Sequence, residues 1–494
     1  MRASLPNRAR CLRGALAGTW VALALAGCAV SPLPAPQPPK VAPGWSAPVS
    51  QTVASLPIAD WWSSWNDPLL SALIGAAQAN SPRVDIAQAR LAQARAALGL
   101  TQAAAWPLVV GNAQASRADA GPTTPGPISQ VALSTQARWE IDLWGQNRLA
   151  RDAAARRIDA RQVEAAALAQ TLAAEVATLY VNLRVAQAVL QGLEADLQSR
   201  SATARLLRRK MEAGFEAPAQ ASLAEAAERE AQARVAQQRA QIEQLTLALA
   251  ALTTLEVSEL RARLIPASRV DVHAGLPRPP MLPVPGLPSL LLRQRPDLRV
   301  LELELAALAA EVGVAEADRY PSLTLTGTIG YGVGRTLGLT GQGATWGFGP
   351  AITLPLFDAG RRTAAVELAR ARHEELRAQY QLLATQAVRE VEEALLALRD
   401  SEARRETLSA ALAGYEAFER AAEARHRAGV GSLLELEEAR RRVLGARLAL
   451  LALERERLVA LVSLHRALGG GVDAERVLAA DTDRPPSSTS GSTP

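Results

Sequence analysis

Residues 139–148, WEIDLWGQNR, mark the point where one kind of secondary structure gives way to another. In the residues before Gly145, polar and less polar side chains alternate for more than ten positions, which predicts a β strand with one apolar face. The apolar face is formed by Val131, Leu133, Thr135, Ala137, Trp139, Ile141 and Leu143. After Gly145 the chain becomes rich in alanine, so we predict that the strand leads directly into a helix.

The helix after Gly145 is predicted to be very long, over residues 148–212. Two sets of apolar residues recur every seven positions and interleave, as in the seam of a coiled coil. They are Leu172, Leu179, Ala186 and Leu193, and Val176, Leu183, Leu190 and Leu197. At 1.5 Å per residue such a helix would be roughly 100 Å long.

The same order of features occurs a second time in the chain. Pro82 and Pro107 have counterparts 214 residues later, while Gly145 and Gly214 have counterparts 215 residues later. These counterparts are Pro296, Pro321, Gly360 and Gly429. Four landmarks at nearly one offset indicate two copies of a large motif. We predict in each copy an Ala-rich helix (about 69–104 and 287–318), two strands, a long helix, a turn and a return helix.

The predicted boundaries follow from this duplication. The strands are predicted at about 107–144 and 321–357, the second long helix at 361–427, and the return helices at 219–253 and 433–468. The predicted segments of the chain are 1–27 as a signal peptide, 28–55 as a Pro/Ala-rich tether, 56–275 as repeat one, 276–480 as repeat two and 481–494 as a disordered tail.

The N-terminal residues indicate export and a lipid anchor. Four arginines precede the apolar stretch GALAGTWVALALAG, which has the length of a secretory signal. It ends in LAGC, which resembles the bacterial lipobox, so Cys28 is the predicted lipidation site. Cys11 would be removed with the signal, which leaves no pair of cysteines for a disulfide or a metal site. By resemblance to bacterial lipoproteins, Ala29 rather than aspartate after the cysteine favours the outer membrane over retention at the inner one.

Composition argues against nucleic-acid binding and against catalysis. The 494 residues carry a net charge of only +5, and arginines are scattered among glutamates as on solvated helix faces. The sequence has no Gly-rich phosphate loop and no nucleophile elbow. The four histidines, His273, His373, His426 and His465, show no metal-ligand spacing. We therefore expect no catalytic residue, cofactor or metal. The aromatic cluster Trp61, Trp62 and Trp65 is expected to pack against helices rather than stack on a ligand.

Four amphipathic strands suit a membrane barrel only when several chains share it. A soluble antiparallel sheet shows the same alternation, but the export signal and the aromatic residues near strand ends favour a membrane location. Known single-chain bacterial barrels have at least eight strands, and unpaired strand edges are not viable in lipid. Two chains would supply eight strands and three would supply twelve, with room for a lumen.

Several stretches, in order, resemble the outer membrane factor (TolC-like) family, most closely its NodT-type efflux lipoproteins. They are WWSSWNDPLLSALIGAAQANSPRVDIAQARLAQARAALG, WEIDLWGQNR, LPSLLLRQRPDLRVLELEL, VGVAEADRYPSLTLTGTIG, LPLFDAGRR and LHRALGGG, which together cover about residues 56–472. The resemblance implies a mainly α chain with membrane β structure, a homotrimer with a twelve-stranded barrel and an α-helical coiled-coil tunnel through the periplasm. Gly145 and Gly360 would mark the junction of barrel and tunnel.

The resemblance also implies a passive exit duct for small molecules such as drugs, in a tripartite pump. The implied partners are a periplasmic adaptor protein and an inner-membrane efflux transporter. The family's tip turns match Gly214 and Gly429. Glu435 is the candidate for an acidic residue that narrows the entrance, with Glu437 or Glu438 as alternatives, and Arg425 and Arg427 are candidates for ion pairs that hold the tip closed. The first tip, MEAGFEAPAQ, departs from the family's commoner pattern.

Two alternative functions remain open at this point. A type I protein-secretion duct would have the same architecture, although the lipobox and the NodT-like motifs favour efflux. A structural coiled-coil lipoprotein without a pore would not conduct ions. A role in copper export would call for more methionine or histidine than Met211, Met281 and the histidines supply.

Overall fold

A computed structural model describes residues 44–46, 58–119, 127–264, 276–277, 279–280, 282, 288–336 and 339–482. A 3-10 helix, Ile58–Trp65, comes first. The α helices that follow are α1 (Pro68–Asn80), α2 (Pro82–Ala103), α3 (Gln146–Glu212), α4 (Pro218–Thr253), α5 (Val257–Leu264), α6 (Pro288–Gln294), α7 (Pro296–Ala317), α8 (Arg361–Arg427), α9 (Leu433–Ala467) and α10 (Ala474–Thr482). The strands are β1 (Leu108–Asp119), β2 (Pro127–Ile141), β3 (Ser322–Thr336) and β4 (Leu339–Thr353).

Two predicted helices are each interrupted by a proline. The helix predicted over 69–104 is α1 and α2, and the one predicted over 287–318 is α6 and α7. Ser81, before Pro82, has extended backbone angles, φ −69° and ψ 126°. A proline disfavours the helical conformation in the residue before it, so the single-helix prediction was wrong at both sites. Asp67 is the residue that caps α1, through hydrogen bonds from the backbone N–H groups of Leu69 and Leu70.

The long helices and the return helices match their predicted ends to within two residues. β2 ends at Ile141, so Leu143 lies beyond the strand. Helix α10 extends to Thr482 and includes the first two residues of the predicted tail. The predicted signal peptide, Cys28 and most of the tether lie outside the described residues. None of the helices in the described ranges combines the length and apolar character needed to cross a bilayer.

The four strands form one antiparallel sheet in the order β1-β2-β3-β4. The register confirms the predicted two-faced pattern. Leu133 lies opposite Tyr331, and Val131 lies opposite Val333, so large apolar residues share one face. The other face carries small and polar residues, among them Ser134 opposite Gly330 and Gln136 opposite Thr328. A Cβ at Gly330 would lie 3.0 Å from the carbonyl oxygen of Leu133, which is a tight contact, so the close approach of the strands favours glycine here.

The chain divides into two compact units. The first includes Ala89–Gln162 and Val300–Gln381, and therefore all four strands. Beside the sheet, helices α3 and α7 pack through small residues, with Leu149 and Ala153 buried against Ala307 and Ala310. Ion pairs from Arg157 and Arg161 of α3 to glutamates of α7 flank this contact.

The second unit includes Pro39–Gln88, Val163–Arg299 and Leu382–Pro494, and its core contains the predicted tryptophan cluster. Trp61, Trp62 and Trp65 are each no more than 6% exposed, which confirms the packing interpretation. Fully buried His465 stacks on Trp61 with ring centroids 4.9 Å apart. The Tyr180 hydroxyl donates a 2.6 Å hydrogen bond to Asp67. Burial and this hydrogen bond raise the pKa of Tyr180 above its ordinary value.

A buried arginine joins three segments of the second unit. The Arg295 side chain, 7% exposed, lies directly before α7. Its guanidinium donates to Asp297 at 2.6 Å, to Glu390 of α8 at 2.7 Å and to the carbonyl oxygen of Ala467 at 3.2 Å. Burial alone would lower the pKa of Arg295, but the hydrogen bonds and charges of Asp297 and Glu390 raise it above the ordinary value. The guanidinium therefore remains charged.

Candidate functional site: the two hairpin turns

Two short turns reverse the chain between a long helix and its return helix, and most of the predicted site residues lie in these turns or in the adjoining helix ends. We call residues 213–217, between α3 and α4, the first turn, and residues 428–432, between α8 and α9, the second turn. Gly214 and Gly429 have φ values of +79° and +78°. In each turn the following residue donates its N–H to a carbonyl five residues back, which closes the long helix. Residues other than glycine rarely adopt this left-handed backbone.

The second turn is stabilised by side chains as well as by its backbone. The Ser432 hydroxyl accepts a 3.1 Å hydrogen bond from the N–H of Glu435 and caps α9. The Arg425 guanidinium, on α8, forms an ion pair with the Glu435 carboxylate, on α9. Nδ1 of His426 lies 3.2 Å from the carbonyl oxygen of Gly431. The second turn is thus spanned by a charged pair that involves two of the predicted residues.

The other predicted residues near the second turn have partners on their own helices, and Glu437 also accepts a 3.3 Å hydrogen bond from Ser199 of α3. Arg427 pairs with Glu423 of its own helix at 2.5 Å, so it does not join the two helices. Glu437 is buried and contacts Arg440 at 3.0 Å. Glu438 accepts hydrogen bonds from two arginines of α9, Arg441 and Arg442, and these lower its pKa below the ordinary value.

The first turn lacks the corresponding side-chain interactions. The residue before α4 is Ala217, which has an extended backbone but offers no capping side chain. A single pair joins the two helices near this turn, Arg208 to Glu225 at 2.5 Å. Phe215 is 82% exposed, and its counterpart in the second turn, Val430, is 79% exposed. Both turns therefore present an apolar side chain to their surroundings.

A cavity of about 470 Å³ lies among the helix ends next to the two turns. Its lining includes Lys210 and Leu223 from the first hairpin and His426 and Arg441 from the second. Charged, polar and apolar side chains all contribute to its lining. The part of the chain that the structure describes contains no group of three histidine, cysteine or acidic side chains placed to hold a metal ion.

The predicted junction residues lie where the strands end and the long helices begin. Gly145 and Gly360 have φ values of +79° and +84°. Asp142 accepts a 2.9 Å hydrogen bond from the N–H of Arg148, and Asp358 accepts from the N–H groups of Gly360 and Arg362. An aspartate therefore caps the first turn of each long helix.

Two tryptophans within residues 139–148 make contacts that stabilise the same junction. The Trp144 indole N–H donates a 2.6 Å hydrogen bond to the carbonyl oxygen of Pro321, and its ring stacks on Tyr320. The Trp139 N–H donates to the carbonyl oxygen of Ala105 at 2.9 Å. Pro321 directly precedes β3 and Ala105 lies three residues before β1, so the two tryptophans join the end of β2 to the starts of its two neighbouring strands.

Some residues of these sites were not identified from the sequence. Ser432 and Glu435 are the first and fourth residues of SLLE, a spacing typical of helix starts, so the cap could have been recognised. The three partners of Arg295 come from distant parts of the chain, and no local signal indicates them. The sequence indicates ion pairs for Arg425 and an entrance role for Glu435, but no local pattern indicates that these two residues pair with each other.

Comparison with known proteins gives consistent matches over most of the chain. The model of the family described as outer membrane efflux protein matches residues 73–254 and 287–470. The pyoverdine export outer membrane protein OpmQ of Pseudomonas putida is 33% identical, over 92% of this chain and 97% of the relative. Outer membrane protein OprJ of Pseudomonas aeruginosa is 34% identical, over 93% of this chain and 96% of the relative.

A solved structure agrees with these sequence matches. The open state of the Neisseria gonorrhoeae MtrE outer membrane channel superimposes with a TM-score of 0.76 at 27% identity. The match covers 90% of this chain and 98% of that channel. The similarity thus extends through the strands, the long helices and both hairpin turns.

Proposed function

From the premise that this chain belongs to the outer membrane efflux protein family, we propose that three copies form one channel and act as the passive exit duct of a tripartite efflux pump. The predicted family, the channel fold with its mainly α chain and four strands, and the outer-membrane location are confirmed. The number of chains, the cargo, the partner proteins and the roles of individual residues are proposals.

The unpaired edges of the sheet are the observation that supports the proposed trimer. Within the described residues, β1 pairs only with β2, and β4 pairs only with β3, so each outer strand keeps an unpaired edge. Strand edges are not tolerated in hydrocarbon, because each unsatisfied backbone group costs several kcal/mol. Edge-to-edge pairing of three chains yields a closed barrel of twelve strands, which is wide enough to contain a lumen.

The test is a mass measurement and a conductance measurement on the same detergent-purified, full-length protein. We expect the mass of three chains and discrete conductance steps in planar bilayers. A single chain in the bilayer, or a trimer without conductance, would contradict the proposal. The second result would favour the alternative of a structural coiled-coil lipoprotein.

We propose that the cargo is small molecules, for which the relative named for pyoverdine export offers a precedent. Deletion of the gene should raise the intracellular concentration of amphiphilic dyes without changing the set of secreted proteins. Loss of a secreted protein with normal dye export would instead support the alternative of a type I secretion duct. We further propose that the chain catalyses no reaction and needs no cofactor.

The second turn is the proposed closing element of the channel. The Arg425–Glu435 pair joins α8 to α9 and restrains the turn, and a ring of three Glu435 carboxylates would favour cations at the entrance. Arg425→Ala should raise the conductance of the closed channel. It should lower the cation selectivity of the channel by less than Glu435→Gln does, because the Glu435 carboxylate remains. Arg427→Ala is the matched control, because its partner Glu423 lies on the same helix. Equal effects of Arg425→Ala and Arg427→Ala would contradict this assignment.

The two turns are also the proposed contact for the periplasmic adaptor, with the inner-membrane transporter supplying energy. Phe215 and Val430 are exposed apolar side chains at these turns, of the kind that a partner protein would cover. Phe215→Ser and Val430→Ser should weaken co-purification of the adaptor and leave conductance unchanged. Unaltered co-purification by both variants would place the contact elsewhere.

The N-terminal segment and the domain boundaries remain as predicted from the sequence. We propose that residues 1–27 are removed, that Cys28 carries lipid, that 28–55 is a tether, and that 56–275 and 276–480 are the two repeats. Mass spectrometry of the mature protein should find an acylated Cys28 as the first residue. A mature N-terminus at another residue would contradict the lipoprotein assignment.

A further inference from the structure

Two arginines share one row of the sheet at its end far from the long helices. Arg117 of β1 pairs with Ser129 of β2, and Ser129 pairs in turn with Arg335 of β3. Cross-strand partners lie on the same face of a sheet, so both arginines belong to the apolar face. The adjacent row on this face contains Ala115, Val131 and Val333.

The position of this row along the strands is informative. Trp139, near the long helices, lies ten residues from Ser129 on the same strand and on the same face. Ten residues of strand cover roughly 33 Å, and a tilt of about 40° reduces this to roughly 25 Å along the membrane normal. That distance equals the height of the apolar band of outer-membrane barrels, about 25 Å. The arginine row therefore lies at the membrane boundary opposite to Trp139.

The charge of the two arginines is not balanced by described neighbours. Both side chains are exposed, and within the described ranges neither guanidinium has a hydrogen-bond or ion-pair partner. Two strand spacings separate them, about 10 Å between backbones. Since an arginine side chain is long and forked, both guanidinium groups can reach one phosphorylated head group, which they would bind by charge-assisted hydrogen bonds.

We propose that Arg117 and Arg335 form a binding site for a phosphate-bearing lipid of the leaflet in which the strands end. This inference rests on the proposed function, because it requires the sheet to lie in the outer membrane. The phosphate contacts the two arginines, and the acyl chains lie along the apolar rows that begin at Val131 and Val333. The exposed Tyr331 and Leu133 continue this surface toward the membrane centre.

The test uses lipid A, which carries phosphates on a disaccharide, and the same lipid after enzymatic removal of its phosphates. Native mass spectrometry of the full-length channel in detergent would measure how much of each lipid remains bound. One basic residue near a charged lipid surface contributes about 1 kcal/mol, or roughly fivefold in affinity. The double variant Arg117→Gln with Arg335→Gln should therefore bind lipid A more than about tenfold more weakly.

A matched control is available in the same sheet. Arg138 belongs to β2, the strand between those of Arg117 and Arg335, and pairs with Thr326 on the opposite face and near the long helices. Arg138→Gln should leave lipid A binding within about twofold, since it removes the same charge elsewhere. Each single variant, Arg117→Gln and Arg335→Gln, gives an independent measurement if the double variant does not assemble.

Equal binding of lipid A by the wild type and the arginine variants would overturn this inference. Equal binding of the phosphorylated and dephosphorylated lipids by the wild type would overturn it as well. Conductance recorded on the same preparations separates the two proposals. A conducting channel with unchanged lipid binding refutes the lipid site alone, whereas a wild type that does not conduct refutes the proposed function and with it this inference.

Discussion

The first and second turns have nearly identical backbones and very different side chains. Gly214 and Gly429 differ by one degree in φ, and the residues before the return helices, Ala217 and Ser432, are both extended. Yet the helix cap and the Arg425–Glu435 pair exist only in the second turn. At the positions of Arg425 and Glu435, 215 residues earlier, the chain has Lys210 and Gln220.

The difference shows which features a chain reversal requires and which it does not. Reversal after a long helix requires a residue in the left-handed region, so both copies keep glycine. Ion pairs and caps add stability without being required, so the two copies are free to differ. Near the first turn the pair Arg208–Glu225 joins the two helices further from the reversal, whereas the pair Arg425–Glu435 lies directly beside the second turn.

The two copies also differ in the ion pairs that form beside Pro82 and Pro296. Glu175 and its counterpart Glu390 each pair with an arginine, at 2.6 and 2.7 Å. In the first copy this arginine is Arg83, which follows Pro82. In the second copy it is Arg295, which precedes Pro296. Arg83 is 44% exposed, whereas Arg295 is 7% exposed and has three partners. The two glutamates are almost equally exposed, at 38% and 36%, so it is the arginine that lies at the surface in one copy and near the core in the other.

The largest expected effect is the difference in stability between the variants Arg295→Ala and Arg83→Ala. Arg295→Ala leaves the buried Ala467 carbonyl without its donor and removes charged hydrogen bonds to Asp297 and Glu390, which are 39% and 36% exposed, so it should cost about 2–3 kcal/mol. Arg83→Ala breaks an exposed pair, which costs up to about 1 kcal/mol. Thermal unfolding of the purified assembly should show a clearly larger fall in the midpoint for Arg295→Ala. Equal shifts would mean that the buried network adds nothing to a surface pair.

The next effect concerns the close packing of the second turn. A side chain at Gly431 would lie 2.9 Å from Cβ of Arg425 and 3.0 Å from backbone atoms. Gly431→Ala should therefore cost about 1–3 kcal/mol through overpacking and displace Arg425 from Glu435. Its counterpart, Glu216, already has a side chain, and Glu216→Ala should change stability by no more than about 0.5 kcal/mol.

Unfolding midpoints of the two variants, with conductance as a second readout, test this prediction. Gly431→Ala should also increase the conductance of the closed channel, because the ion pair that spans the turn is disturbed. A Gly431→Ala variant with wild-type stability and conductance would show that the second turn has more room than its contacts indicate.

A reciprocal exchange of the caps should make the two turns more alike. Ser432→Ala removes the cap of α9 and should cost about 1 kcal/mol. Ala217→Ser introduces a hydroxyl on an extended backbone next to the N–H of Gln220, and should stabilise the start of α4 by a similar amount. Hydrogen exchange in the first turns of α4 and α9 would measure both changes. Opposite signs are expected, and changes of the same sign would contradict the equivalence of the two positions.

The smallest effect is a dependence on pH at the start of α9. The pKa of Glu438 lies below its ordinary value of 4.5, because Arg441 and Arg442 hydrogen-bond its carboxylate. A lowered pKa in the folded state means that this contribution is present above about pH 4.5 and is lost as the pH falls through the folded pKa. The counterpart in α4 is Leu223, which does not titrate.

Hydrogen exchange compared at pH 6 and pH 4, after correction for the intrinsic rates, should show a greater loss of protection in the first turns of α9 than in those of α4. Glu438→Gln should remove that difference. If the difference in protection between α9 and α4 persists in this variant, another titratable group causes the pH dependence.

The sequence by itself determined the repeated order of elements, the two faces of the strands and the positions of both turns. These features depend on local patterns: alternation along a strand, a seven-residue repeat along a helix, and glycine where φ must be positive. The predicted single helix over 69–104 failed because an apolar pattern continued across Pro82, although the proline broke the backbone there.

Only the tertiary structure decided which charged residues meet. Arg295 and Glu390 are separated by 95 residues, and Arg117 and Arg335 are brought into one row by a strand that lies between theirs. Such proximity depends on register and on helix packing, which no short window of sequence contains. The sequence therefore fixes where each element begins and ends, whereas packing fixes which side chains form a site, since contacts between distant segments exist only after the chain has folded.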